Sequence, residues 1–162
     1  MATECERKFI VQRLPSPAEL GDGVRLRQGY LAEDGGVELR VRISVSLGGD
    51  AEPLAVLTVK AGGGRSRTEV EVGIPAAEAE ALWPHTVGRR IEKVRHRVPV
   101  GELVAEVDVY GGAIEGLITV EVEFESEEAA EAFSPPEWFG RELTGMAEWS
   151  NASLARHGLP AG

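Results

Sequence analysis

Acidic and basic side chains recur at every second position along this 162-residue chain, and in several runs each sign keeps to itself. Glu4 and Glu6 precede Lys8; Arg40 stands with Arg42, Lys93 with Arg95 and Arg97, Glu69 with Glu71, Glu106 with Asp108, and Glu121 with Glu123 and Glu125. Side chains two residues apart on an extended strand point the same way, so each set shares one face. Such faces can simply meet solvent, leaving Leu39, Val41 and Ile43, or Val120, Val122 and Phe124, to fill an apolar interior. Solvent faces ordinarily mix signs, however, because like charges in register repel. If the charged faces turn inward, neighbouring carboxylates 4 Å apart repel by about 4 kcal/mol at an effective dielectric of 20, and something must neutralise them. A divalent cation does so for the carboxylates, and a polyanion does so for the arginines and lysines. Segregated acidic and basic walls across a pore describe a site for a metal-bound polyphosphate.

The elements that must carry these residues are strands. Two-residue alternation marks eight of them, near 4–12, 23–31, 37–47, 54–60, 66–73, 89–98, 103–110 and 117–125. Most are joined by short turn sequences such as Asp34-Gly-Gly36, Gly48-Gly-Asp50 and Gly62-Gly-Gly64, which implies antiparallel neighbours. Helical signals are fewer: Pro75–Trp83 with proline in its first turn, Ser126–Phe133 with a serine cap, Ser150–Arg156, and a short helix expected after Pro135-Pro136. Eight antiparallel strands close most economically into a barrel, which removes exposed edges, with the helices bracing or plugging it. The expected fold is therefore mainly β (α+β), a closed eight-stranded antiparallel barrel forming a single domain over 1–162.

Composition narrows the function. A net charge of −10 argues against nucleic acid as the main partner, although the cations are gathered before residue 98 and can still converge on a small anion. No apolar run reaches the roughly 20 residues of a membrane span, and the charged start lacks the apolar core of a secretory signal, so the expected location is the cytoplasm. A single cysteine, Cys5, is too little for a disulfide or a thiolate metal site.

Glu4-Cys-Glu6-Arg-Lys8 resembles the Glu-x-Glu-x-Lys motif that opens the CYTH, or triphosphate tunnel metalloenzyme, superfamily. Eight further pieces follow in that superfamily's order: Arg27-Gln-Gly-Tyr30-Leu, Arg40-Val-Arg42, Leu57-Thr-Val-Lys60, Arg67-Thr-Glu69-Val-Glu71, Glu92-Lys93-Val-Arg95, Ala105-Glu106-Val-Asp108, Val120-Glu121-Val-Glu123 and Trp138-Phe-Gly-Arg141. The resemblance implies an eight-stranded tunnel with the charged side chains inside and the apolar faces outside. With so few helices to cover eight strands, a homodimer is expected to bury part of the outer surface.

It also implies roles. Glu4, Glu6, Glu121 and Glu123 are the first choice for Mg²⁺ or Mn²⁺, both satisfied by oxygen ligands, and Glu69, Glu71, Glu106 and Asp108 come second, as ligands or as ion-pair partners of the arginines. Lys8, Arg40, Arg42, Lys60, Lys93 and Arg95 should hold phosphate oxygens, with Arg25 and Arg27 weaker candidates, and Arg141 resembles a basic residue that closes the tunnel from a short C-terminal helix. Lys8 and Tyr30 are the catalytic candidates; Tyr30 resembles a position suggested as a proton acceptor and equally suits a barrel tyrosine making one hydrogen bond. Cys5 and His96 fall on the outward parity, and Trp83, Trp138 and Trp149 flank helices, where they would pack helices onto the barrel. Because the chain barely exceeds the barrel, the expected reaction is metal-dependent hydrolysis of inorganic triphosphate to pyrophosphate and phosphate. Thiamine triphosphatase, nucleoside triphosphatase, adenylyl cyclase and a non-catalytic polyphosphate-binding module remain alternatives.

Overall fold

The structure is a computed structural model that describes residues 5–62 and 68–161. All eight expected strands form: β1 (Cys5–Val11), β2 (Val24–Asp34), β3 (Val37–Ser46), β4 (Leu54–Ala61), β5 (Thr68–Ile74), β6 (Arg90–Val100), β7 (Leu103–Tyr110) and β8 (Ile118–Phe124). Helix α1 (Pro17–Leu20) is an addition, built in the stretch Pro15-Ser-Pro17 that reads as a turn; a capping box between Ser16 and Glu19 starts it. Helices α2 (Ala76–Leu82), α3 (Glu127–Ala132) and α4 (Asn151–His157) match the expected ones, with Ser126 and Ser150 capping the last two.

The segment after Pro135-Pro136 is not a helix. It forms a ninth strand, β9 (Phe139–Glu142), antiparallel to β1, with Phe9 opposite Glu142 and Val11 opposite Phe139. Pairing with β1 satisfies backbone groups that a four-residue helix would leave largely open. The order across the sheet is β5-β4-β3-β2-β6-β7-β8-β1-β9, every pair antiparallel. β5 and β9 are its two ends and do not pair, so the barrel is not closed, contrary to the closed barrel that the alternation suggested. Closure needs strand number, tilt and stagger to agree, and here β9 occupies the free edge of β1 where β5 would have to dock.

The apolar faces point outward and are partly covered by helices. Under α3, Phe9, Val107, Val120, Val122 and Phe139 form one cluster, and Cys5 packs against it. Under α2, Val41, Ile43 and Ala55 surround Ala79. A third cluster lies within the curve of the sheet, where Leu154 and Ala155 of α4 pack on Tyr30, Ile91 and Tyr110 and close one end of it. The glycine at position 29 makes room for the loop before β6: a Cβ there would stand 2.6 Å from the Thr86 side chain. No helix among the described residues is long and apolar enough to cross a membrane.

Candidate active site

The curved sheet encloses a cavity of about 710 Å³. Register explains its lining, because side chains opposed in antiparallel strands share a face. One interior row runs Lys8, Glu121, Glu106 across β1, β8 and β7; another runs Tyr30, Arg40, Thr58, Glu71 across β2, β3, β4 and β5; a third joins Glu38, Lys60 and Glu69. Of the expected site residues, Glu6, Lys8, Tyr30, Arg40, Arg42, Lys60, Glu69, Glu71, Lys93, Arg95, Glu106, Glu121 and Glu123 all line this cavity. Glu4 and Arg67 lie outside the described residues.

Two expected residues sit elsewhere. Asp108 is only 1% exposed and lies behind the lining, its carboxylate accepting from Lys93 Nζ at 2.7 Å and from Arg95 Nε and Nη2 at 2.7 and 2.8 Å. Arg141 is on β9, not on a helix, and its guanidinium stacks 5.6 Å from the ring centre of Trp149, which does line the cavity. The weaker candidate Arg27 faces outward, onto Trp83 and Glu80, because Leu26, Gln28 and Tyr30 take the inward parity of β2. His96 is also outside, where its Nδ1 contacts the Leu20 carbonyl at 3.2 Å.

Several lining residues were not singled out from the sequence. Glu38 shares the parity of Arg40 and Arg42, and that parity alone would have placed it inside. Gln28 likewise follows Tyr30 at two residues; its amide donates to the Tyr30 hydroxyl at 2.9 Å and accepts from Arg42 Nε at 3.2 Å. Residues 143–147 and 149–152 also contribute to the wall. Lys8 Nζ donates to the Trp149 carbonyl at 2.8 Å and stands 3.5 Å from Glu121, and Tyr110 donates its hydroxyl proton to Asn151 Oδ1 at 2.9 Å. Those contacts depend on the path of the chain after β9, for which the sequence carries no periodic signal.

The cations are held unevenly. Lys93 is 3% exposed; burial pushes its pKa down and Asp108 opposes that shift. Asp108 itself is held below the usual carboxylate range: its burial, which raises the pKa, is outweighed by the charge of Lys93 and the hydrogen bonds from Arg95. Arg42 has its pKa lowered by burial and by the like charge of Arg40. Arg40 is 7% exposed, and among the described residues its Nε has no hydrogen-bond partner, as is also true of the buried Thr58 hydroxyl beside it in the row. A guanidinium buried with an unmet donor costs on the order of 1–3 kcal/mol, a cost that an anion in the cavity would offset. Burial pushes the Tyr30 phenol above its ordinary value of 10, so it keeps its proton at neutral pH.

On the opposite wall, Glu6 faces Glu123 directly across β1 and β8, and Glu121 faces Glu106 across β8 and β7. Among the described residues no three carboxylates converge into a formed ligand cluster. The donor set is nonetheless all oxygen, paired by register and lining one cavity with the arginines; these residues fit a hard divalent cation.

An antiparallel sheet curved around acidic and basic walls defines a tunnel-type phosphohydrolase fold. No protein-family profile matches the chain. It is 46% identical to an inorganic triphosphatase of Nitrosomonas europaea, over 94% of this chain and 97% of that protein. It is 36% identical to an inorganic triphosphatase of Acetivibrio thermocellus, over 97% and 96%. A crystal structure of an inorganic triphosphatase superposes with a TM-score of 0.76 at 39% identity, covering 99% of each chain. A crystal structure of an adenylate cyclase-like protein from Bacillus halodurans, 19% identical with a TM-score of 0.54 over 79% of this chain, shares the fold. The chain belongs to the inorganic triphosphatase family of the CYTH, or triphosphate tunnel, superfamily.

Proposed function

We propose that this protein hydrolyses inorganic triphosphate to pyrophosphate and phosphate in the cavity. The observation that carries this reading is the cationic wall: Arg40 and Arg42 point inward side by side on β3, and among the described residues no carboxylate is hydrogen-bonded to either guanidinium and the Arg40 Nε has no partner. A linear polyanion supplies what they lack. Arg40, Arg42 and Lys60 hold phosphate oxygens on one side, and Lys93 and Arg95 do so on the other. Arginine grips two oxygens at once, whereas the lysines act as point charges. Lys8, held between Glu121 and the Trp149 carbonyl, offers its charge to the transferred phosphoryl group. The Tyr30 phenol, oriented by Gln28, offers its proton as a hydrogen bond into the same space.

Glu6, Glu121 and Glu123, together with Glu4 of the sequence motif, would hold Mg²⁺ or Mn²⁺, with Glu69, Glu71 and Glu106 as further oxygen donors. When bound, such a cation supplies Lewis-acid neutralisation of phosphate charge. Phosphoryl transfer asks little covalent chemistry of the protein, so positioning and charge neutralisation by these side chains account for most of what catalysis requires. Enzymes for organic triphosphates would share the site but need a surface to read a base or a thiamine ring.

The test is release of phosphate and pyrophosphate from inorganic triphosphate, with ATP and thiamine triphosphate alongside, each with Mg²⁺, Mn²⁺ or chelator. Metal-dependent release, fastest on inorganic triphosphate, is the expected result. Faster turnover of either organic substrate would move the assignment to that substrate. Absence of any release, with triphosphate still raising the melting temperature, would make the protein a polyphosphate-binding module.

A further inference from the structure

We propose that Asp108 is a positioning residue for triphosphate binding, acting through Lys93 and Arg95 and not as a ligand of the metal. This rests on the triphosphatase reading above. Asp108 is almost wholly buried and stands outside the cavity lining, whereas both of its partners line it. Oδ1 accepts from Arg95 Nε, and Oδ2 accepts from both Arg95 Nη2 and Lys93 Nζ, all at 2.7–2.8 Å. Three charged donors fill most of the roughly four acceptor positions of a carboxylate, so little remains for a cation.

The geometry does specific work on each partner. Two parallel bonds from Arg95 to one carboxylate fix the plane of the guanidinium, and its third nitrogen, Nη1, is turned to Glu106 Oε2 at 3.2 Å. Lys93 spends one proton on Asp108, while its ammonium lies 5.3 Å from the ring centre of Tyr110, which leaves two protons for a ligand. Lys93 and Arg95 are two residues apart on β6 and would repel each other. The single carboxylate beneath them, directly opposite Arg95 on β7, offsets that repulsion and holds both heads in place. Cations fixed in advance bind an anion without first being ordered by it, which is where affinity is gained. The sequence pattern Glu106-Val-Asp108 makes the two acids look equivalent, yet only Glu106 lines the cavity.

The experiment uses the full chain with Asp108→Glu and Asp108→Asn, alongside Glu121→Gln. Three quantities are measured: the melting temperature, Mn²⁺ affinity in the absence of substrate, and steady-state kinetics on inorganic triphosphate. Asp108→Glu keeps the charge but moves both cation heads by the length of a methylene. The expected result is a rise in KM of about 10- to 100-fold with kcat changed far less, and Mn²⁺ affinity equal to that of the wild type. Asp108→Asn should show the same split with a lower melting temperature; if it does not fold, Asp108→Glu carries the test. Wild-type KM in Asp108→Glu would reduce the residue to a structural ion pair and overturn the proposal. Loss of Mn²⁺ affinity matching that of Glu121→Gln would make it a ligand, with the same consequence. Calorimetric titration of the wild type with triphosphate separates the two levels: a wild type that neither binds nor hydrolyses triphosphate removes the functional reading, whereas an active wild type with an indifferent Asp108→Glu removes this proposal alone.

Discussion

On the flank formed by β6, β7, β8 and β1, interior cations are paired within the protein: Lys93 and Arg95 with Asp108, Arg95 with Glu106, and Lys8 with Glu121. On the flank formed by β3, β4 and β5, among the described residues, Arg42 bonds to the neutral amide of Gln28, Lys60 makes a long ion pair with Glu69 at 3.9 Å, and Arg40 Nε has no hydrogen-bond partner. Outside, the first flank is backed by the apolar cluster under α3 and the second by a smaller cluster under α2, beyond which β5 forms one end of the sheet and is exposed for most of its length. The closely paired flank contributes rigid geometry, and the loosely paired flank leaves an electrostatic demand that an anionic ligand meets.

Removal of a carboxylate from the closely paired flank should have the largest effect. Glu121→Gln should cut turnover of inorganic triphosphate on the order of 10²- to 10³-fold, because it removes charge both from the acidic wall and from beside Lys8. Glu6→Gln should behave alike. Full activity in both, measured as phosphate release with saturating Mg²⁺, would detach the acidic wall from catalysis.

A change on the other flank should separate activity from stability. Arg40→Met replaces a buried guanidinium with an apolar chain of similar length, so kcat/KM should fall about 100-fold while the melting temperature stays level or rises, since the folded protein no longer buries an unmet donor. Triphosphate should then raise the melting temperature of the wild type more than that of the variant. A large drop in stability would show that Arg40 has a structural partner and that this flank is as fully paired as the other.

How much of this was legible in the sequence follows from which contacts are local. Alternation located all eight long strands, since a half-buried strand writes its period directly into the chain; parity put the charged residues of each strand on one face, and the resemblance, not parity, turned the faces of Arg40, Lys60, Glu106 and Glu121 inward. Parity also explains Arg27, whose outward position follows once Tyr30 is known to point inward. What could not be read depends on distant pairing. Phe139-Gly-Arg-Glu142 has no alternation of its own and becomes a strand only because β1 offers it an edge; the same docking keeps the barrel open. Asp108 and Glu106 share a face, and only the depth of the cavity tells them apart.

The closed end of the site tests a third element. Leu154 is 2% exposed between Tyr30, Ile91 and Tyr110, so Leu154→Ala should lower stability by about 2–3 kcal/mol in urea unfolding. Because α4 supports Tyr30 and carries Asn151, activity should fall with it, in contrast to Arg40→Met, where the two part.

The smallest effect concerns the outer face of β5, where Val70 is 50% exposed and Val72 is 53% exposed, with Leu57 and Val59 next to them on β4. A second copy could cover this face in two ways. Pairing β5 edge to edge would bring the inward carboxylates Glu69 and Glu71 of one copy towards those of the other, and like charges in register destabilise a sheet. Packing face to face buries the valines and leaves the carboxylates within their own cavities, so a homodimer, if formed through β5, uses the face. The expected outcome is a dimer mass by light scattering for the wild type and a monomer mass for Val70→Lys/Val72→Lys, with kcat/KM within about twofold, because neither valine lines the cavity and surface changes of this kind usually cost less than 0.5 kcal/mol. A monomeric wild type would leave these valines as solvent-exposed surface and the tunnel complete in one chain; a dimer that survives both lysines would place the interface elsewhere on the outer surface.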